Sequence, residues 1–469
     1  MKHIVMTVLM LASALTASAE VRLPAVIGNG MVLQQRSEAN LWGKAAPGRK
    51  VIVEPSWSRQ KYTATAGADS LWQVSVATPG AGGPYAIVFD DGDRLTLDDI
   101  LIGEVWICTG QSNMEMPMQG FWNEPVNRSL ETLLDAGRYD RLRLFTVDRV
   151  PASEPRTDCN GRWQVSTSAS AADFSATAYF FGRNLIGALD VPVGLISTCR
   201  GATRIETWMD VPTAQTVDPG VLDSDASQDA FNKTAALYNG MIVPVQPFTA
   251  RGFIWYQGEA NLYNYPLYAD NMAAMVALWR ERWGDDRMAF YYVQLAPFGY
   301  DDPQGTALPL TIEQQVRALD KIPHSGIAST TDIGAAETIH PRYKDLVGQR
   351  LAAVALSRTY GMKGFPAMPH RMRSVRFEGD RAIVDFEGES GFVRPAGTLA
   401  GFELAGADRK FHPAVAWLGA GNTVEVRSDA VPRPVAVRYA FRNLCEASLF
   451  NASGIPAVPF RTDDWDDVR

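Results

Sequence analysis

Histidine and cysteine are the scarce residues of this 469-residue chain, with 5 and 4 copies respectively, and each scarcity narrows what the protein can do. The cysteines, Cys108, Cys159, Cys199 and Cys445, are spaced too widely for a zinc knuckle or a thioredoxin-like pair, so structural zinc is not expected; no cofactor is expected elsewhere in the chain. Cys108 and Cys199 lie inside apolar runs and read as buried thiols, while Cys159 and Cys445 remain a pair that an oxidising compartment would permit. Basic charge is also short. Lys and Arg number 44 against 52 Asp and Glu, a formal net charge of −8, with no cluster of the kind that neutralises phosphates, which excludes a nucleic-acid surface and an anionic membrane face. No apolar run reaches the ~20 residues of a membrane span. Internal repeats and low-complexity tracts are absent.

What is present is a globular composition, 46% hydrophobic and 20% charged, in a chain long enough for two or three domains. Residues 1–19 read as an export signal: Lys2 and His3 precede the apolar run Ile4–Met10, and Ala17-Ser18-Ala19 supplies the small residues of a cleavage site after Ala19. The expected product is secreted or periplasmic.

From 20 to 99, short alternating stretches such as Trp72-Gln73-Val74-Ser75-Val76 are separated by Pro-Gly, Gly-Gly and Asp-Gly turns, the pattern of an antiparallel β-sandwich. From 100 to 362 the pattern changes. Apolar runs of strand length at Val105–Cys108, Val193–Ile196, Phe253–Tyr256, Phe290–Val293 and Gly326–Ala328 are spaced for intervening helices, as in a parallel sheet buried on both faces. Ala178, Phe181, Leu185 and Leu189 share one helical face, as do Tyr268, Met272, Met275 and Trp279, and Lys344–Leu356 reads as the closing helix. The polar stretch at about 212–232 reads as a long surface loop. Alternation returns in 363–469, a β-rich segment for which packing on the first domain is the expectation.

Gly110-Gln111-Ser112-Asn113-Met114 directly follows the run ending at Cys108. A serine there stands at the carboxyl edge of a parallel sheet, where open α/β folds place ligands, and Gly110 permits the sharp turn that exposes a nucleophile. The motif is not the G-x-S-x-G elbow, because Met114 replaces its second glycine. Read alone, a Ser-Asn turn or helix cap is the better account of it. A serine hydroxyl needs a base, and of the four histidines beyond the leader only His340 falls between the last predicted strand and the closing helix. His324 precedes the last strand, and His370 and His412 belong to the β-rich tail. Glu337, three residues before His340, is the expected orienting acid; Asp332 competes with it, and a Ser-His dyad without an acid is a third option. Three oxyanion donors line up at strand ends: the amides of Ser112 and Gly201 and the side chain of Gln257. For Gly201 the plain alternative is a β-to-α turn, and for Gln257 a buried amide that holds loops together. Gln111, Asn113, Arg200, Glu259 and Asn261 lie near these positions and are candidate substrate contacts.

These residues carry a resemblance to the sialate O-acetylesterase family of SGNH-type hydrolases. Matching segments run through most of the chain: Gly30–Gln35, Gly103–Trp106 leading into Gly110–Met114, Gly201 through Glu206 and Trp208, Tyr238–Ile242, Trp255–Glu259, and Ile339-His340-Pro341 with Lys344, Gly348 and Arg350. The resemblance implies a three-layer, flavodoxin-like α/β catalytic domain with flanking β-rich domains, and metal-free deacetylation of carbohydrate hydroxyls. It also implies the nucleophile and base roles for Ser112 and His340. Members act on acetylated sialic acids or on plant polysaccharides such as xylan and xyloglucan. Two departures stand out. The family usually has Gly-Gly-Thr where this chain has Gly201-Ala202-Thr203, and an aspartate just before the histidine where this chain has Glu337 and Thr338.

Two other readings compete. One is a carbohydrate-binding protein with a degenerate hydrolase domain; retention of Ser112, His340, Gln257 and Gly201 together argues against it. The other is a glycoside hydrolase with Glu104 and Glu259 as its acids, which requires the two to face each other at about 5–9.5 Å.

Overall fold

In the computed structural model, residues 21–393 and 398–465 are described, so the expected export signal at 1–19 lies outside the described residues. The first strands are β1 (Val32–Gln34), β2 (Glu38–Lys44), β3 (Lys50–Pro55), β4 (Tyr62–Thr65), β5 (Leu71–Ala77) and β6 (Gly82–Asp90). β2 pairs with β5, and β3 with β4 and β6, all antiparallel, with alternate side chains such as Val51, Val53, Ile87 and Phe89 turned inward. β7 (Arg94–Gly110) then does two jobs. Its first half pairs with β6, and its second half is the central strand of the parallel sheet. The junction expected at 99/100 therefore falls inside one strand, at an irregularity where Asp99 takes φ 59°, and a single apolar core continues across it from Phe89 to Trp106.

The parallel sheet adds β8 (Leu142–Thr146), β9 (Trp163–Val165), β10 (Val193–Cys199), β11 (Gly252–Tyr256), β12 (Ala289–Val293) and β13 (Ser325–Ala328) in the spatial order β13-β12-β11-β7-β10-β8-β9, with only β9 antiparallel. The helices are α1 (Ser112–Glu115), α2 (Ser129–Asp135), α3 (Ser168–Asp173), α4 (Ala176–Leu189), α5 (Val211–Val217), α6 (Tyr268–Trp283), α7 (Ala307–Lys321) and α8 (Lys344–Arg358). Strand alternation assigns them to two layers. Trp106 packs against Phe181 of α4 on one face, while Phe253 and Trp255 pack against Trp279 of α6 on the other. Trp106, Trp208, Trp255 and Trp279 are fully buried, and burial of each contributes about 2–3 kcal/mol.

The stretch expected as a long loop carries α5 and a 3-10 turn at Val221–Ser227. Arg204 pins it, donating to Ser224 Oγ and to the carbonyl of Asn232 at 2.7 Å each and pairing with Asp225. Beyond α8, two four-stranded sheets enclose a separate core of Val384, Phe386, Leu404, Val424 and Val437. This segment packs against the α/β domain, not the first β domain: Arg461 pairs with Glu313 of α7, and Thr331 donates to the Ala457 carbonyl. All four cysteines are free thiols, Cys159 and Cys445 included. No helix among the described residues is long and apolar enough to cross a membrane.

Candidate active site

In chain order the strands leave β7 for β8 and β10 on one side, then return to β11 on the other, so the topological switch lies at the carboxyl end of β7. Open α/β sheets bind ligands in that crevice. Register sharpens the point: Gly110 is level with both Cys199 of β10 and Tyr256 of β11, so the segments leading to Ser112, Gly201 and Gln257 all depart from one level. Gly110 has φ +140°, and a Cβ there would lie 2.2 Å from the Tyr256 carbonyl oxygen. Only glycine fits.

The turn delivers Ser112 to the first position of α1. His340, in the segment between β13 and α8, meets it: Ser112 Oγ–H donates to Nε2 at 2.8 Å. On the other side of the ring, Nδ1–H donates to Glu124 Oε2 at 2.8 Å. Thr338 Oγ1 donates to the second oxygen of Glu124 and accepts the His340 amide at 3.0 Å. The carboxylate is thereby fixed at both oxygens. Phe121 packs edge-on against the imidazole, ring centroids 5.1 Å apart. Burial pushes the His340 pKa below its ordinary value; Glu124 pulls it upward and the nearby Lys344 charge pulls it further down. Such an arrangement can activate a hydroxyl: a neutral imidazole accepting at Nε2 would take the serine proton, and a carboxylate at Nδ1 would stabilise the ring once protonated.

Glu124 replaces the acid expected from the sequence. Glu337 is exposed and makes no hydrogen bond or ion pair with a described residue, because the chain from 335 to 343 is irregular and never closes the turn that would fold it back on His340. Asp332 is committed elsewhere, to a bidentate pair with Arg350 at 2.7 Å per bond. Glu124 lies 216 residues from its histidine, and nothing in its local sequence marks it.

The oxyanion donors divide. As the first residue of α1, Ser112 has no intrahelical partner for its amide. Gly201 sits against Ser112, but its amide donates to the Glu115 carboxylate, which also pairs with Arg149 at 3.2 Å. Gln257 is no donor to the cleft. It is fully buried, its Nε2 protons go to the Thr203 carbonyl at 2.9 Å and Asn261 Oδ1 at 2.8 Å, and its Oε1 accepts Tyr268 Oη–H at 2.8 Å.

Two expected substrate contacts are likewise structural. Asn261 uses its amide on Gln257, the Ile205 amide and Glu206. Asn113, 1% exposed, donates to Glu259 at 2.5 Å and to the Ile339 carbonyl at 3.1 Å, and accepts from Lys344 Nζ at 2.5 Å. Behind it, burial lowers the Lys344 pKa to about 7 and raises that of Glu259. Gln111, Arg200 and Glu259 do line the cleft, a space of about 550 Å³ shared with Ser112, Glu115, Gly201 and His340. Gln111 Oε1 meanwhile accepts the amides of Gly258 and Ala260, and the Arg200 guanidinium lies 4.4 Å over the Phe231 ring. Glu104 pairs with Arg251 midway along β7, where its parallel pairing with β10 begins. Its six-residue distance from Gly110 is about 20 Å of extended chain, too far from Glu259 for a glycosidase acid pair.

The family model for "Carbohydrate esterase, sialic acid-specific acetylesterase" matches residues 102–357. The chain is similar to the sialate O-acetylesterase of Rattus norvegicus, 29% identical over 408 residues that cover 73% of this chain and 74% of that protein. It is also similar to the Mus musculus sialate O-acetylesterase, 26% identical with 94% of each chain covered. A solved carbohydrate acetylesterase from Xanthomonas citri has the same fold, with TM-score 0.87 and 34% identity over 95% of this chain and 100% of that one.

Proposed function

Since the chain belongs to the carbohydrate esterase, sialic acid-specific acetylesterase family, and is thus a carboxylic ester hydrolase for acetylated carbohydrate, we propose that it works through an acetyl-enzyme on Ser112. Ser112 Oγ attacks the acetyl carbonyl carbon while His340 Nε2 takes its proton. Glu124 stabilises the imidazolium so formed. The carbonyl oxygen, now negative, takes the place of the Glu115 carboxylate at the Gly201 amide and accepts the Ser112 amide as well; each such donor contributes about 3 kcal/mol to the transition state. Collapse returns the proton from His340 to the sugar oxygen, which leaves. Water, deprotonated by the same histidine, then attacks the acetyl carbon; the C–Oγ bond breaks, His340 returns the proton to Ser112 Oγ, and acetic acid leaves and ionises to acetate. The observation that carries this reading is the unbroken Ser112-His340-Glu124 chain, with both links at 2.8 Å.

The substrates we infer are O-acetylated glycans, either acetylated sialic acid, after the mammalian relatives' names, or acetylated plant polysaccharide. Arg200 is the cleft guanidinium available to a sialate carboxylate. The export signal at 1–19 belongs to the same proposal and is checked by the amino-terminal sequence of the mature protein. Acetate release from acetylated xylan, xyloglucan oligosaccharides and 9-O-acetylated sialic acid, wild type against Ser112→Ala, tests the reaction. Loss of at least about 10⁴-fold in the variant is expected; residual release near the wild-type rate would sink the assignment.

A further inference from the structure

Glu124 reaches His340 from a very tight turn. Phe121 and Glu124 exchange two backbone hydrogen bonds, each amide donating to the other's carbonyl at 3.1 Å, which leaves Trp122 and Asn123 alone at the tip. Asn123 takes the left-handed conformation such a turn requires, φ 58°. Both stem residues touch the proposed base, Phe121 by its ring and Glu124 by its carboxylate. The tip is thus anchored one peptide unit, about 3.8 Å, beyond Phe121, which lines the cleft.

Trp122 is 90% exposed, more than any other large apolar side chain among the described residues. Its indole has no hydrogen bond and no ring partner there. Packing therefore does not explain it: a flat aromatic face stands free in water on a turn closed by two backbone hydrogen bonds. A second exposed aromatic, Tyr263 at 78%, follows three residues after Ala260, which lines the same cleft.

We propose that Trp122 is a stacking platform for a sugar ring next to the acetylated one, so that the preferred substrate is an acetylated oligo- or polysaccharide rather than a single acetylated sugar. The axial C–H groups of a pyranose are weakly positive and match the negative face of an indole, while the ring's hydroxyl edge stays in water. A platform outside the reacting centre binds the chain without touching the ester, and a rigid one loses little entropy when it does. This inference rests on the reading of the cleft as the site of deacetylation.

The test compares Trp122→Ala with wild type on an acetylated xylo-oligosaccharide, an acetylated xylose monosaccharide and 4-nitrophenyl acetate. We expect KM for the oligosaccharide to rise about tenfold more than for either small ester, with Trp122→Tyr restoring most of the difference. In the Ser112→Ala background, Trp122→Ala should weaken binding of the intact oligosaccharide to the same extent. An equal loss of kcat on all three esters would overturn the proposal in favour of a purely structural turn, as would an unchanged ratio among them. A change in oligomeric state in place of a change in KM would assign the indole to a contact between copies. Failure of the underlying reading has its own signature, deacetylation that survives Ser112→Ala whatever Trp122 does.

Discussion

The two sides of His340 are built from the same kinds of side chain and do different work. Toward the cleft, Glu124 and Ser112 meet the imidazole with partial exposure, 23% for the Glu124 side chain and 17% for that of His340. Toward the interior, buried Asn113 joins Lys344, the carbonyl preceding His340 and Glu259, whose outer edge reaches the cleft, and Gln257 with Asn261 forms a second cluster under the neighbouring strand ends. A carboxylate at the rim can gain and lose interactions as charge moves through the ring. A buried amide with every proton committed has nothing left to offer a substrate, and its value lies in tying α1, the β11 loop and the start of α8 into one frame.

That contrast is open to direct attack. The largest expected effect is Glu124→Gln, which keeps the shape but removes the charge facing the imidazolium; kcat/KM should fall about 10³–10⁴-fold with the thermal midpoint nearly unmoved. Glu337→Gln should leave kcat/KM within about twofold, and a loss comparable to that of Glu124→Gln would reverse the assignment of the acid. Next comes Asn113→Ala, on the interior side. It orphans Lys344 Nζ, Glu259 Oε1 and a carbonyl at about 1–3 kcal/mol each, so denaturant titration should record a loss on the order of 3 kcal/mol together with reduced activity. Retained stability in that variant would erase the difference between the two sides.

A subtler probe is pH. His340 works as a base only when neutral, and burial depresses its pKa, so kcat/KM should rise with pH and reach half its plateau below about 6.5, the ordinary imidazole value. Glu124 raises that pKa, and its replacement by glutamine should move the midpoint to still lower pH. A midpoint above about 6.5 in the wild type would mean that the carboxylate outweighs burial.

The sequence exposed the frame of this site better than its contents. Apolar runs ending at Cys108, Ile196 and Tyr256 mark strands, and strand ends converge by the geometry of a parallel sheet, so Ser112, Gly201 and the Gln257 segment could be placed together without coordinates. Which way a side chain turns after the strand ends follows no period. Gln257 and Asn261 therefore looked like cleft residues although both face inward, and Gln111, similar in type, reaches the rim. Glu124 was illegible for another reason. It depends on a pairing across 216 residues, whereas the nearby Glu337 offered a local spacing that the irregular backbone does not honour. The polar stretch beyond Met209 lacked apolar periodicity, so its short helix α5 read as loop. Its order comes from Arg204 and the capping Asp210 side chain, which accepts the Thr213 amide at 2.9 Å.

The smallest expected effect concerns Ala202, where the resembling family usually has a second glycine. Ala202 adopts φ 55°, in the left-handed region that costs an L-residue with a Cβ about 1–2 kcal/mol. The residue before it supplies the Gly201 amide and the residue after it, Thr203, accepts Gln257, so the strain sits between the cleft side and the interior side of the site. Part of the gain from restoring glycine is offset by the greater freedom of an unfolded glycine. Ala202→Gly should therefore raise stability by about 1 kcal/mol or less, with kcat/KM changed little if the Gly201 amide is already held in place by its neighbours. A large change in kcat/KM with no change in stability would mean instead that the methyl group, and not the backbone, is what this position contributes to the cleft.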